Sequence, residues 1–381
     1  MNKIYLDHAA TTPLDQRVID EMIPYFTIKF GNASSLHSYG REAKKALESS
    51  RSILSKELGS SPEEIVFTSG GTESNNLALK GIAFANKKKG NHIITSSIEH
   101  DCILNSCKWL ENQGFKITYL PVDEYGIVNP EDVNEAIDKS TILVSIMQAN
   151  NEIGTIEPLE EIGKICNEND VYFHTDACQS FTKVPLDVNK NSLNLVTINS
   201  HKIYGPKGVG ALYIRKGTKI DPLMHGGGHE RKLRSGTENV SGIVGFAKAV
   251  EISKELDLQK MTNLRDKIIN NVLEVPDTRL NGHPTLRLCN NINFSFKYIE
   301  GESLLLRLDA KGISVSTGSA CSSNTLEPSH VLKALGLPPE YAHGSMRLTI
   351  GMHTKEEDID YVVGAIKDEV KILRKISPFG G

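Results

Sequence analysis

Two residues of opposite charge occupy matching places in the sequence. Asp176 lies in His174-Thr175-Asp176-Ala177-Cys178-Gln179, directly after the apolar run Val171-Tyr172-Phe173. Lys202 lies in Asn199-Ser200-His201-Lys202, directly after Leu195-Val196-Thr197-Ile198. Lys202 follows Asp176 by 26 residues, about one strand-helix-strand step, so a parallel sheet would carry both to one mouth, where ligands of such sheets gather. Upstream, Ile65-Val66-Phe67 runs into Thr68-Ser69-Gly70-Gly71-Thr72-Glu73-Ser74-Asn75. This glycine-rich turn opens a helical pattern, and its backbone N–H groups suit a phosphate.

Taken singly, each feature has a plain explanation. Thr72 could cap a helix, and Asp176 and Lys202 could form a surface ion pair. Taken together they match the needs of pyridoxal phosphate, which is carried on a lysine, kept protonated at its pyridine nitrogen by a carboxylate, and anchored through its phosphate. His100 closes Ser96-Ser97-Ile98-Glu99-His100 at a further strand-to-helix junction. Alone it reads as the start of a helix, and beside Asp176 and Lys202 it could lie on the ring and move protons. Asn150-Asn151-Glu152-Ile153-Gly154 follows another strand and offers amide contacts to ring or substrate. Cys321 sits among small polar residues, Ser316-Thr317-Gly318-Ser319-Ala320-Cys321-Ser322-Ser323-Asn324. A free cysteine is usually a buried small hydrophobe, which suits Cys166 and Cys178; the run around Cys321 predicts a loop in which the thiol is reachable, as a nucleophile requires.

The elements that must hold these groups are legible as alternation. From about residue 60 to 215, short apolar runs (65–67, 92–94, 117–119, 142–146, 171–173, 195–198) alternate with helical patterns near 73–88, 100–113, 130–138 and 158–169. This predicts a largely parallel α/β sheet buried on both faces. Helices over 238–254 and 258–274 lead through Val275-Pro276-Asp277 to a segment of different rhythm, which reads as a smaller α+β unit: strands 290–296, 313–316 and 346–350, helices 301–310, 328–335 and 355–374.

Composition narrows the function. The chain has 381 residues, 39% hydrophobic and 24% charged, as in ordinary globular proteins. Its net charge of −4 without a long basic block argues against nucleic acid. The run Lys87-Lys88-Lys89 before Gly90 is explained by the dipole at a helix end. The absence of a membrane-length apolar stretch or a signal-peptide pattern predicts a cytoplasmic protein that does not bind membranes. Six cysteines without a CxxC pair predict free thiols, with neither a zinc site nor a disulfide framework.

The sequence resembles the cysteine desulfurases of the NifS/IscS type, class V enzymes of the fold-type I pyridoxal phosphate group. The resemblance covers nearly the whole chain: Tyr5-Leu6-Asp7-His8-Ala9-Ala10-Thr11-Thr12-Pro13, Gly31-Asn32-Ala33-Ser34-Ser35-Leu36-His37, Ser200-His201-Lys202-Ile203-Tyr204-Gly205-Pro206-Lys207-Gly208, and the cysteine segment with Leu326-Glu327-Pro328-Ser329-His330-Val331-Leu332. It implies a large domain over 14–256 built on a mainly parallel seven-stranded sheet, and a small α+β domain from 1–13 and 257–381 that carries the catalytic cysteine. It implies Lys202 as the Schiff-base lysine, Asp176 on the pyridine nitrogen, Gln179 on the phenolic oxygen and His100 stacked on the ring. Gly71, Thr72, Ser200 and His201 would hold the phosphate, joined by Thr237 of a neighbouring subunit, hence a homodimer. Asn151 would contact ring and substrate. Arg347, in Ser345-Met346-Arg347-Leu348-Thr349, would clamp the carboxylate of L-cysteine, a role that a guanidinium fork suits, although a surface arginine on a strand would look the same. Cys321 would take the sulfur as a persulfide and pass it to an acceptor such as an iron-sulfur scaffold. Readings left open are an aminotransferase or β-lyase of the same fold, a selenocysteine lyase, and a non-catalytic sulfur carrier.

Overall fold

Apolar runs too short for helices and without polar alternation form strands buried on both faces. In the computed structural model, which describes residues 3–317 and 328–377, β1 (Ile4–Tyr5) is followed by the strands of the main sheet. These are β2 (Ile65–Thr68), β3 (His92–Ser96), β4 (Lys116–Leu120), β5 (Thr141–Ser145), β6 (Tyr172–Asp176), β7 (Leu195–Asn199) and β8 (Gly210–Ile214). Their spatial order is β2-β8-β7-β6-β5-β3-β4. Every neighbouring pair is parallel except the two made by β8, which runs against β2 and β7. β8 is the seventh strand and the one that the apolar runs did not disclose: Gly208-Val209-Gly210-Ala211 dilutes its strand signal with glycine and alanine.

Two apolar clusters sandwich this sheet. One joins Phe67, Val144, Phe173, Val196 and Ala211 to Leu47, Leu54, Ile162 and Phe246. The other joins Val66, Ile93, Leu143, Leu195 and Leu212 to Leu79, Ile82, Ile103 and Leu110. A third cluster, from Met261 to Leu373 together with Ile4 and Leu6, lies around β9 (Thr278–Leu280), β10 (Asn291–Phe296), β11 (Ile313–Ser314) and β12 (Ser345–Thr349). There β12-β10-β9 form an antiparallel sheet, and β1 pairs in parallel with β11. The N-terminal residues are thus packed with the C-terminal third of the chain.

Two glycines shape the turn that the site depends on. Gly70 adopts φ 154°, which a side chain would disfavour, and it lets β2 turn straight into the helix Gly71–Ala85. At Gly71 a Cβ would lie 2.6 Å from Cys178 Sγ, so the helix start can approach the end of β6 only as glycine. The helix ends at Ala85, so Lys87-Lys88-Lys89 lies beyond its last turn. Lys89 instead pairs with Asp170 at 2.7 Å, and this replaces the dipole explanation for that residue. No described helix is long and apolar enough to cross a membrane.

Candidate active site

Asp176 is the last residue of β6 and is buried. Its Oδ1 accepts the Cys178 N–H at 2.8 Å, and its Oδ2 accepts from Asn75 Nδ2 at 2.6 Å. These two donors fix the carboxylate at the end of β6. Lys202 lies in the turn that follows β7, the neighbour of β6, in which Thr197 stands opposite Asp176. The charges of Asp176 and Lys202 both act on His100, Cys102 and Cys178, so carboxylate, amine and imidazole converge.

His100 caps the helix Asp101–Glu111: its Nδ1 accepts the Cys102 N–H at 3.1 Å. Because Nδ1 is an acceptor, a neutral His100 carries its proton on Nε2. Burial lowers its pKa, the Asp176 charge opposes that, and Lys202 adds to it, so the ring is neutral at pH 7. Burial, followed by the charges of Lys202 and Lys207, pushes His201 down to about 4. The His201 Nδ1 is 3.2 Å from Thr11 Oγ1.

The phosphate-cradle residues lie on two elements. Gly71 and Thr72 form the first turn of the helix Gly71–Ala85, where N–H groups have no intrahelical partner. Ser200 follows β7, and its Oγ is buried without a hydrogen-bond partner among the described residues. An orphaned hydroxyl, a helix N-terminus, a buried carboxylate held by two donors and a lysine on adjoining strand ends fit pyridoxal phosphate.

Other expected residues are placed with different clarity. Gln179 is buried and its Nε2 donates to the Ala9 carbonyl at 3.0 Å, a contact to the N-terminal segment that the sequence did not suggest. Asn151 is half-buried, and its carbonyl accepts from Arg347 Nη1 at 3.2 Å. Arg347 on β12 is buried and pairs with Asp7 Oδ1 at 2.9 Å. Thr237 is exposed; nearby Arg234 pairs with Glu73 at 2.8 Å, which lays this run against the start of the helix Gly71–Ala85. Cys321 lies outside the described residues. Among the described residues no three His, Cys, Asp or Glu side chains gather as a metal site.

Four contributors escaped the sequence reading. Asn75 and Asp7 stand in quoted motifs, but their partners are 101 and 340 residues away. Cys102 reaches His100 Nδ1 and Asn75 Nδ2, each at 3.1 Å. Glu99 is fully buried, its Oε1 accepting from Met147 N–H at 2.8 Å and Ser96 Oγ at 2.9 Å.

Burial raises the Glu99 carboxyl from 4.5 to about 8, against those hydrogen bonds and with help from the Asp176 charge. A raised carboxyl binds its proton more tightly in the folded state, so its stabilisation is complete below 4.5 and is lost as pH rises to about 8. Glu99→Gln removes this term. Denaturant unfolding should therefore show wild type losing stability relative to the variant between about pH 5 and pH 8, by on the order of a few kcal/mol. Parallel pH curves would refute the assignment of that titration to Glu99.

The comparisons agree on one family. A family model described as aminotransferase class-V matches residues 4–362. A protein of Methanosarcina thermophila named cysteine desulfurase IscS is 56% identical over 378 residues, covering 98% of this chain and 94% of that one. A solved NifS-like protein superposes with a TM-score of 0.92 at 40% identity, covering 97% of this chain and all of that one. A structure described as SspA in complex with cysteine superposes with a TM-score of 0.84 at 39% identity, covering 93% and 100% of the two chains.

Proposed function

The chain belongs to the class V aminotransferase family, and from that premise we propose that it is a cysteine desulfurase, converting L-cysteine to L-alanine while Cys321 receives the sulfur. The observation that carries this reading is the meeting of Asp176 and Lys202 at the ends of adjoining parallel strands, beside the helix start at Gly71. The similarity to proteins named cysteine desulfurase supplies the substrate.

Pyridoxal phosphate, when bound, supplies an electron sink for the substrate α-carbon. Gly71, Thr72, Ser200 and His201 hold its phosphate, with Thr237 contributed from a second copy in a homodimer. Asp176, fixed by Asn75 and the Cys178 N–H, keeps the pyridine nitrogen protonated. Gln179 would contact the phenolic oxygen, and His100 would stack on the ring. Lys202 would carry the cofactor, and its amine would be the base for the substrate α-proton. Arg347, next to Asn151, binds the substrate carboxylate in exchange for its ion pair with Asp7.

Sulfur transfer then needs a thiolate. The Cys321 sulfur attacks the substrate sulfur, an S–S bond forms, and the substrate C–S bond breaks with its electron pair retained on carbon, which protonation completes as alanine. Cys321 is left as a persulfide. His100 is assigned the handling of the thiol proton. Support for Cys321 comes from the other cysteines: burial raises the pKa of Cys102, Cys107, Cys166, Cys178 and Cys289, which leaves them protonated at pH 7.

The same reading assigns 14–256 to the large domain, and 1–13 with 257–381 to the small one, supported by the packing of Ile4 and Leu6 into the C-terminal cluster. It places the enzyme in the cytoplasm, delivering sulfur to an acceptor protein such as an iron-sulfur scaffold. Purified enzyme given L-cysteine and a thiol reductant should release alanine and sulfide in equal amounts. Pyruvate and ammonia in place of alanine would indicate β-elimination and overturn the reading.

A further inference from the structure

We infer that Ser329 and His330, with Glu152 as acceptor, are positioning residues for sulfur transfer, fastening the chain just downstream of Cys321 to the two loops that carry His100 and Asn151. The inference rests on the proposed role of Cys321. Ser329 Oγ donates to the buried Glu152 Oε2 at 2.6 Å across 177 residues of sequence, while accepting the Val331 N–H as the cap of the helix His330–Ala334. His330 Nε2 donates to the Glu99 carbonyl at 3.0 Å, one residue before His100. These two loops are themselves tied, because Asn150 Nδ2 donates to the Ile98 carbonyl at 2.8 Å.

Apolar packing at the same place supports the clamp independently. Ile98 and Ile153, one from each loop, form a cluster with Val331, Leu332, Leu335, Leu337 and Ala342. The upstream end is also fixed beside the site: Ser316 exchanges backbone hydrogen bonds with Arg347, N–H to carbonyl at 3.0 Å and carbonyl from N–H at 2.6 Å. In sequence, Cys321 lies five residues after Ser316, which pairs with the strand of Arg347, and eight before Ser329. Short tethers at both ends limit the volume that the thiol searches, which raises its effective concentration at the substrate sulfur.

The test uses full-length holoenzyme and a single turnover with L-cysteine, reading persulfide on Cys321 by mass. Ser329→Ala and Glu152→Ala should each slow persulfide formation by about 10- to 100-fold, with the cofactor absorbance and the spectroscopic affinity for cysteine held within about twofold. Glu152→Gln, which keeps an acceptor for Ser329, should restore the rate. The double variant should be no slower than either single one, since both remove one contact. Wild-type rates in the single variants, multiplicative losses in the double, or equal losses of cofactor binding and thermal stability without rescue by glutamine would overturn the inference. Wild type that fails to load Cys321 would overturn the functional reading itself, together with this inference.

Discussion

Lys202→Ala is expected to abolish desulfuration, by about a thousandfold or more, and to remove the visible absorbance of the bound cofactor. The size of the effect follows from the proposed double use of one amine, as the covalent attachment point and as the base for the α-proton. Lys183 lies close to this position, and it is committed elsewhere. Its Nζ donates to the Gln179 carbonyl at 2.9 Å and to the Lys202 carbonyl at 3.4 Å. Burial, against the pull of the Cys289 thiol, lowers its pKa to about 8, so a fraction is neutral, but the two carbonyl contacts hold the amine beneath the turn. The variant is expected to remain folded, because the Lys202 amine makes no hydrogen bond or ion pair among the described residues. Retained absorbance with retained turnover would move the attachment point elsewhere.

Cys321→Ala has an effect of similar size with the opposite spectroscopic signature. Alanine formation should fall by at least about a hundredfold while the cofactor absorbance and its response to cysteine persist. The separation arises because, in the proposed mechanism, the steps before C–S cleavage do not use Cys321. Rescue by a neighbouring thiol is not expected. Cys102, whose sulfur is 3.1 Å from His100 Nδ1, is pushed up to about 12 by burial, which keeps it a thiol at pH 7. Cys178 is raised as well, and its sulfur is wedged against Gly71. Unchanged alanine production in the variant would leave a lyase or transaminase as the better description of the activity.

Much of this site was legible in the sequence for a specific reason. In a parallel sheet an apolar run ends where the ligand begins, so the first polar residues after Val171-Tyr172-Phe173 and Leu195-Val196-Thr197-Ile198 had to face one mouth. Asp176 and Lys202 were found in that way, and the helix start at Gly71 by its glycines. What stayed hidden depends on contacts that local sequence does not encode. β8 is recognised as a strand only by its partners β2 and β7, since glycine and alanine weaken its own signal. Asn75 on Asp176, Asp7 on Arg347 and Ser329 on Glu152 are pairs separated by 101, 340 and 177 residues, brought together only by the folded register. Glu99 carries no local signal beyond its place before His100, and only its complete burial reveals a carboxyl raised to about 8.

The most direct measurement follows the sulfur atom. Holoenzyme is mixed with one equivalent of L-cysteine in the absence of reductant, quenched, and digested for mass spectrometry, with alanine counted in the same sample. The expected result is one additional sulfur on the Cys321 peptide, removable by a thiol, and one alanine for each sulfur bound. Sulfur found on Cys102 or on no cysteine, or sulfide released without alanine, would contradict it.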